Sequence, residues 1–272
     1  MKLLEGRVGM IVGIANDRSY AWHIARAMID AGARCAFTHL PGEKNERRTR
    51  RAVEELGVKD AWLCPMDAGK DEDMDAAFAR YAESFDAMHF LVHSIAFADR
   101  DWLAPGKFVE TPRQAYLSAI DVSAYTLVGM AKRARPLLAR GAAGAGDAVA
   151  GGGGASIMAM SYYGAEKVVP GYNVMGVAKA ALECSARYLA WELGAENIRV
   201  NIISGGYLRT LASSAVGGTS DMEAAVLKRA PLRRNVEGED VGRTAVYLAS
   251  PLSSGVTGET IYVDCGVNTV GL

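Results

Sequence analysis

VGMIVGIANDRSYAWHIARAMIDAG, residues 8–32, passes from a short apolar run through a polar turn into an amphipathic stretch. The order reads as strand, turn and helix N-terminus, the arrangement that receives a pyrophosphate on backbone N–H groups and the helix dipole. Gly13 closes the apolar run. The regular G-x-G-x-x-G fingerprint is absent, and a lone glycine after a strand also serves an ordinary β-to-α turn. By itself the stretch leaves nucleotide binding open.

The same rhythm continues along the chain. Apolar runs at 8–13, 33–39, 61–66, 89–94, 155–161, 198–204 and 260–266 read as strands, and longer amphipathic stretches at 20–31, 71–84, 113–138, 173–194 and 239–249 read as helices between them. Alternating βαβ units predict an α/β fold: a single-domain, doubly wound Rossmann-type architecture over 1–272, with about seven parallel strands and helices on both faces. One segment interrupts the pattern. Residues 141–154, GAAGAGDAVAGGGG, carry seven glycines and no large side chain, and read as a flexible surface insertion.

The 272 residues are half apolar and 22% charged, with a formal net charge of -1. That balance fits a compact core and gives no global electrostatic reason to bind nucleic acid or an anionic membrane. No stretch reaches the roughly 18 apolar residues of a membrane span, and the opening MKLLEGRVGMIVG lacks a signal-peptide pattern, so a cytoplasmic location is expected. Cys35, Cys64, Cys184 and Cys265 are widely separated and unaccompanied by metal-ligand spacing, which predicts buried reduced thiols and no metal site.

Residues expected at the carboxyl ends of the strands come next, because an open α/β sheet holds its ligand there. The second strand ends in THLPG, residues 38–42, with no acidic residue for a ribose 2′-hydroxyl and no arginine immediately there for a 2′-phosphate. Lys44, Arg47 and Arg48 read as a solvated helix face. NADH is therefore expected over NADPH. Asp67 follows the third strand, where a turn or cap role is the plain reading. HSIAFA, residues 93–98, follows the fourth.

MSYYGAEKVVPGYNVMGVAKAALE, residues 160–183, places Tyr172 seven residues before Lys179. On a helix that step is nearly two turns, so both side chains fall on one face. The spacing alone also fits a buried tyrosine and a solvated lysine. Set in S-Y-x-G-A-E-[KR]-x-x-P-x-Y-N-x-M-G-x-A-K, however, it closely resembles the enoyl-[acyl-carrier-protein] reductases of the short-chain dehydrogenase/reductase superfamily. Gly13, Ser19, Tyr20, Ala21 and Trp22 resemble that family's G-x5-S-[IY]-A-W turn. HSIAFA resembles its HSI-[GA]-FA, and SGGYLRTLASSAVGG, residues 204–218, its S-x-G-[PY]-[IL]-[RK]-T-L-A segment.

The resemblance implies NAD(P)H-dependent reduction of the carbon-carbon double bond of trans-2-enoyl thioesters, carried by acyl carrier protein, in fatty acid biosynthesis. Tyr172 would hydrogen-bond the developing enolate, Lys179 the nicotinamide ribose, and Tyr162 would line the pocket near the transferred proton. Gly13, Ser19 and Tyr20 would take the pyrophosphate, and Asp67 and Ala68 the adenine. Leu40, Ser94, Ile95 and Ala96 would border the cofactor, with Leu208 and Thr210 at its carboxamide and pyrophosphate. Phe97, Ala98, Tyr162, Tyr172 and Tyr207 would meet the substrate, and 205–230 would form a substrate-binding loop.

The family's carbonyl-reducing relatives place tyrosine four residues before the lysine, where this chain has Met175, which cannot donate a proton. The family also implies a homotetramer, with 231–267 resembling the superfamily's tail. Two positions depart from its pattern: His23 stands where glycine is usual, at the approach of the first helix, and Tyr207 where proline is common, narrowing the pocket. With the 141–154 insertion they leave open an enoyl-thioester or activated-alkene reductase of a specialised pathway; a catalytically silent nucleotide-binding protein is a further alternative, against which the intact Tyr172 and Lys179 argue.

Overall fold

The structure is a computed structural model that describes residues 2–144, 153–208, 224 and 226–271. Among these residues seven parallel strands form one sheet in the order β3-β2-β1-β4-β5-β6-β7. The strands are β1 (Val8–Val12), β2 (Arg34–His39), β3 (Leu63–Pro65), β4 (Phe90–His93), β5 (Ala155–Ser161), β6 (Ile198–Gly205) and β7 (Thr260–Val263). The helices are α1 (Tyr20–Asp30), α2 (Glu43–Glu54), α3 (Asp71–Ser84), α4 (Arg113–Ile120), α5 (Thr126–Gly144), α6 (Asn173–Leu193) and α7 (Gly238–Ala249). Each expected strand forms, most of them shortened at one or both ends.

Alternate residues of each strand enter different cores, as the two-residue period requires. Met10, Val12, Leu91, Ile157 and Val200 pack on one face with Leu127 of α5 and Leu182 of α6. Ile11, Phe37, Val92, Met158 and Ile203 pack on the other with Ile24 of α1 and Val241 of α7. Every residue of β5 and β6 is buried, so β5 reads as a nearly continuous apolar run, while β6 buries Arg199 and Asn201 between its apolar residues.

The chain order turns back between the neighbours β1 and β4, and the crevice of such a sheet opens at this switch point. Gly13 stands there with φ +110°, and a Cβ on it would lie 2.1 Å from Ser94 O. No other residue fits both conditions.

The structure revises the reading of 113–138 as one helix. A π-helical turn, Asp121–Tyr125, separates α4 from α5, and α5 runs on to Gly144. The turn aims Ser123 at the segment after β4: its hydroxyl donates to Phe97 O and accepts from Phe97 N, both at 3.0 Å. Such insertions recur at functional sites, and nothing in hydrophobic periodicity announces one.

Residues 141–144, read as the start of a loop, form the last turn of α5. Gly141 is small because of packing: a Cβ on it would stand 2.1 Å from Met88 O. At the other end of the expected insertion, Gly153 and Gly154 are buried, and their carbonyls accept from Arg199 Nε and Arg7 Nη1, each at 3.0 Å. Residues 145–152 lie outside the described residues.

The four cysteines are all free, but Cys184 is exposed and Cys35 only half-buried, so burial holds for Cys64 and Cys265 alone. Among the described residues no helix is long and apolar enough to cross a membrane.

Candidate active site

A cavity of about 1040 Å³ opens at the carboxyl ends of the strands, at the upper end of the range typical of ligand sites. It is bordered by Gly13, Ser19 and Tyr20 from the β1–α1 turn, Leu40 from the end of β2, and Asp67 and Ala68 after β3. Ser94, Ile95, Ala96, Phe97 and Ala98 follow from β4, then Tyr162 after β5, Tyr172 and Lys179 at α6, and Tyr207 and Leu208 after β6. Every site residue expected from the sequence and described in the structure therefore meets in one place. Thr210 and most of the loop 205–230 lie outside the described residues.

The chemical end is built on α6. Tyr172 immediately precedes the helix and Lys179 lies two turns along it, both facing the cavity. The rings of Tyr162 and Tyr172 meet edge to face, 5.1 Å apart at 75°. Burial is the main force raising both phenol pKa values; Tyr163 adds to the rise at Tyr162, and Tyr162 to that at Tyr172. Both groups therefore stay protonated and are available as hydrogen-bond donors. Lys179 is buried, and its Nζ donates to Met160 O at 2.8 Å. Loss of solvent brings its pKa down to about 8.

A strained residue fixes this corner. Asn173, next to Tyr172, has φ 45°, and its Nδ2 donates to Trp102 O and Ala104 O, both at 2.7 Å. The amide thereby ties the start of α6 to the segment carrying Leu103, another wall of the cavity. The Asn is legible in the sequence as part of the motif, but its bonding is not.

His93 lies behind the floor, fully buried. Thr126 Oγ1 donates to Val122 O at 2.8 Å, so it can only accept from His93 Nε2, also at 2.8 Å. The imidazole is thus the neutral Nε2–H tautomer. Burial, aided by the Lys179 charge, brings its pKa down to about 3.

At the cofactor end, Ser19 caps α1: its Oγ accepts from Trp22 N at 3.3 Å and donates to Asn16 O at 2.8 Å. Tyr20 reaches across the crevice and donates its hydroxyl to Gly206 O at 2.6 Å, joining α1 to the end of β6. Asp67 has the plain turn role as well as its place on the wall, since Oδ1 accepts from Gly69 N at 3.1 Å.

Two expectations change. His23 does not border the cavity; its ring packs against Gly238 of α7, where a Cβ would meet it at 2.1 Å, and its Nδ1 lies 3.4 Å from Glu239 Oε1. The bulk of the imidazole is absorbed by a glycine on the opposite helix. Arg48 is exposed on its helix face, as read, but also borders the cavity, together with Asn45 and Thr49 of α2. The turn of α2 toward the end of β2 was not visible in charge patterning. Tyr207 is buried in the wall, its hydroxyl without a hydrogen-bond partner among the described residues.

Residues 13–268 match the family model described as Enoyl-(Acyl carrier protein) reductase. The chain is 44% identical over 271 residues to the NADH-dependent enoyl-[acyl-carrier-protein] reductase FabI of a Synechocystis species, covering 99% of both. It is 42% identical over 271 residues to that of Bacillus cereus, covering 100% of both. Among solved structures it is similar to the Bacillus cereus enoyl-acyl carrier protein reductase with NADP+ and indole naphthyridinone, with a TM-score of 0.92 at 42% identity and 100% coverage of both chains. It is likewise similar to the Anaplasma phagocytophilum reductase in complex with NAD, with a TM-score of 0.89 at 44% identity, covering 99% of this chain and 97% of that one. This chain belongs to the enoyl-[acyl-carrier-protein] reductase family.

Proposed function

We propose that the protein reduces the carbon-carbon double bond of trans-2-enoyl thioesters on acyl carrier protein, with NADH, in fatty acid biosynthesis. The observation that carries this reading is the convergence of Tyr172, Lys179 and Tyr162 with the cofactor-turn residues on one cavity.

The donor set fits a nicotinamide dinucleotide. Gly13 and the start of α1 would hold the pyrophosphate, Asp67 and Ala68 the adenine, and the Lys179 ammonium the nicotinamide ribose hydroxyls. Leu40, Ser94, Ile95 and Ala96 would flank it, with Leu208 and Thr210 at the carboxamide and pyrophosphate. When bound, the cofactor supplies a hydride to the β-carbon of the enoyl thioester.

Negative charge then develops on the thioester oxygen, and Tyr172 donates a hydrogen bond to it. A phenol whose pKa is raised by burial gives up its proton reluctantly, yet serves well as a fixed donor to charge that appears only during reaction. Tyr162, against the Tyr172 ring, holds a second hydroxyl near the α-carbon, where a proton completes the reduction. Phe97, Ala98 and Tyr207 would enclose the acyl chain. Met175, a turn before Lys179, also borders the cavity and offers no proton for carbonyl chemistry.

Four free thiols fit a reducing cytoplasm, and the exposed aromatics of α6 favour a homotetramer. The test is spectrophotometric NADH oxidation with crotonyl and longer 2-enoyl thioesters on carrier protein and on coenzyme A. Tyr172→Phe is expected to lower kcat by about 10²–10³ with little change in NADH affinity. Lys179→Ala is expected to weaken NADH binding as well. Absence of turnover with every enoyl thioester refutes the proposal.

A further inference from the structure

Lys179 and Glu183 stand one turn apart on α6, and both are buried. Two consecutive residues at the end of β5 hold them. Met160 O accepts from Lys179 Nζ at 2.8 Å, and Ser161 Oγ donates to Glu183 Oε1 at 2.5 Å. A carboxyl taken out of water at this depth is costly, and no cation among the described residues lies within ion-pair distance of it. Packing alone would be served better by an apolar side chain.

We infer that Glu183, held by Ser161, is a positioning residue for the reduction proposed above: its negative charge, one helical turn from Lys179, keeps that ammonium protonated and aimed into the cavity. The assignment rests on that functional reading. Burial pulls the Lys179 pKa down, and Glu183 is the charge that opposes it. Burial in turn raises the carboxyl pKa, with Glu166 adding to the rise, while the Ser161 hydrogen bond, Arg187 and Lys179 work against it. The titratable and charged groups facing the pair are His93 of β4, Glu166 of the turn after β5, Tyr172 and Arg187 at α6, and Tyr262 of β7. Glu183 touches neither cofactor nor substrate in this scheme and acts through Lys179.

The experiment compares the unmodified chain with Glu183→Gln, Glu183→Asp and Ser161→Ala, each first shown to melt cooperatively. NADH affinity is read by fluorescence quenching across the Lys179 titration, and enoyl-thioester reduction over the same pH range. In the unmodified chain, NADH affinity should fall with rising pH through a midpoint of about 8. Glu183→Gln is expected to lower that midpoint by about one unit, and Glu183→Asp to restore most of it. Ser161→Ala should shift it the same way by less, and carries the test should Glu183→Gln not fold. An unmoved midpoint in the folded variants, even with reduced turnover, makes Glu183 merely structural and overturns the inference. An unmodified chain that binds NADH but reduces no enoyl thioester refutes the proposed function instead, leaving the binding titration to judge Glu183.

Discussion

The ring of Tyr172 occupies the space in which Gly164 has no side chain: a Cβ on Gly164 would lie 2.6 Å from Tyr172 Cδ1 and 3.3 Å from Tyr162 Cδ1. The glycine of the S-Y-x-G motif is therefore a packing requirement of the Tyr172 ring, the phenol proposed to stabilise the enolate. Gly164→Ala is expected to push the Tyr172 hydroxyl off its position by a fraction of an ångström or more. Misplacement on that scale costs about 10²-fold in kcat. NADH affinity, which rests on Lys179 and the β1–α1 turn rather than on the Tyr172 hydroxyl, should stay within a few-fold, and steady-state kinetics beside a direct binding titration would separate the two. Equal losses in both would mean a collapsed cavity rather than a displaced tyrosine.

His93 links the site to acid stability. Its imidazole titrates at 6.5 when exposed and at about 3 in the folded chain, because burial disfavours the charged form. Between those values the unfolded chain binds the additional proton, so stability rises with pH there. The contribution is complete above pH 6.5 and is lost as pH falls toward 3, at up to about 1.4 kcal/mol per pH unit. His93→Gln, which carries no titrating group, should flatten that slope in urea unfolding measured at several acid pH values. A slope equal to that of the unmodified chain would place the acid sensitivity elsewhere. Thr126→Val should cost about 1–3 kcal/mol by stranding the Nε2–H.

Much of this was legible in the sequence, for identifiable reasons. A buried parallel strand such as β5 is a nearly continuous apolar run, and the order of turns between strands fixes which loops meet at the switch point. The residues that border the cavity were readable because the S-Y-x-G-A-E and HSIAFA segments are contiguous and sit at strand ends. What escaped was contact between distant segments. The π-turn at Asp121–Tyr125 answers to Phe97, Gly141 to Met88, and His23 to Gly238, and none of these partners is near in sequence. Buried Arg7 and Arg199, which hold the carbonyls of Gly154 and Gly153, look like surface charges until the chain is folded.

Arg48 bears on the choice of cofactor. Its side chain borders the cavity on the same side as Leu40 and Asn45, where the sequence offered no immediate arginine for a 2′-phosphate. A guanidinium there attracts a phosphate and is indifferent to a hydroxyl. NADH remains the expected cofactor, with NADPH bound more weakly. Arg48→Ala should lower NADPH affinity by about tenfold, the worth of one exposed charge-assisted hydrogen bond, while leaving NADH within twofold. Dissociation constants for both cofactors, measured on both chains, decide it. A loss shared by the two would make Arg48 a general part of the adenosine wall.

The outer face of α6 carries the last prediction. Tyr188 and Trp191, three residues apart on one side of the helix, are 71% and 86% exposed, and Leu117 of the adjoining α4 is 54% exposed. Exposed aromatic surface on a helix whose opposite face is packed is of the kind a partner covers, and in the proposed homotetramer a second copy of the chain would cover it by symmetry. Light scattering behind size-exclusion chromatography is expected to give the mass of four chains. Trp191→Asp combined with Tyr188→Asp should yield smaller species, because two carboxylates buried at a symmetric contact repel and lose solvent together. The exposed position of both residues in the single chain means that the substitution should leave its fold intact, which circular dichroism would verify. A single-chain mass for the unmodified protein across a wide concentration range would remove the tetramer from the proposal.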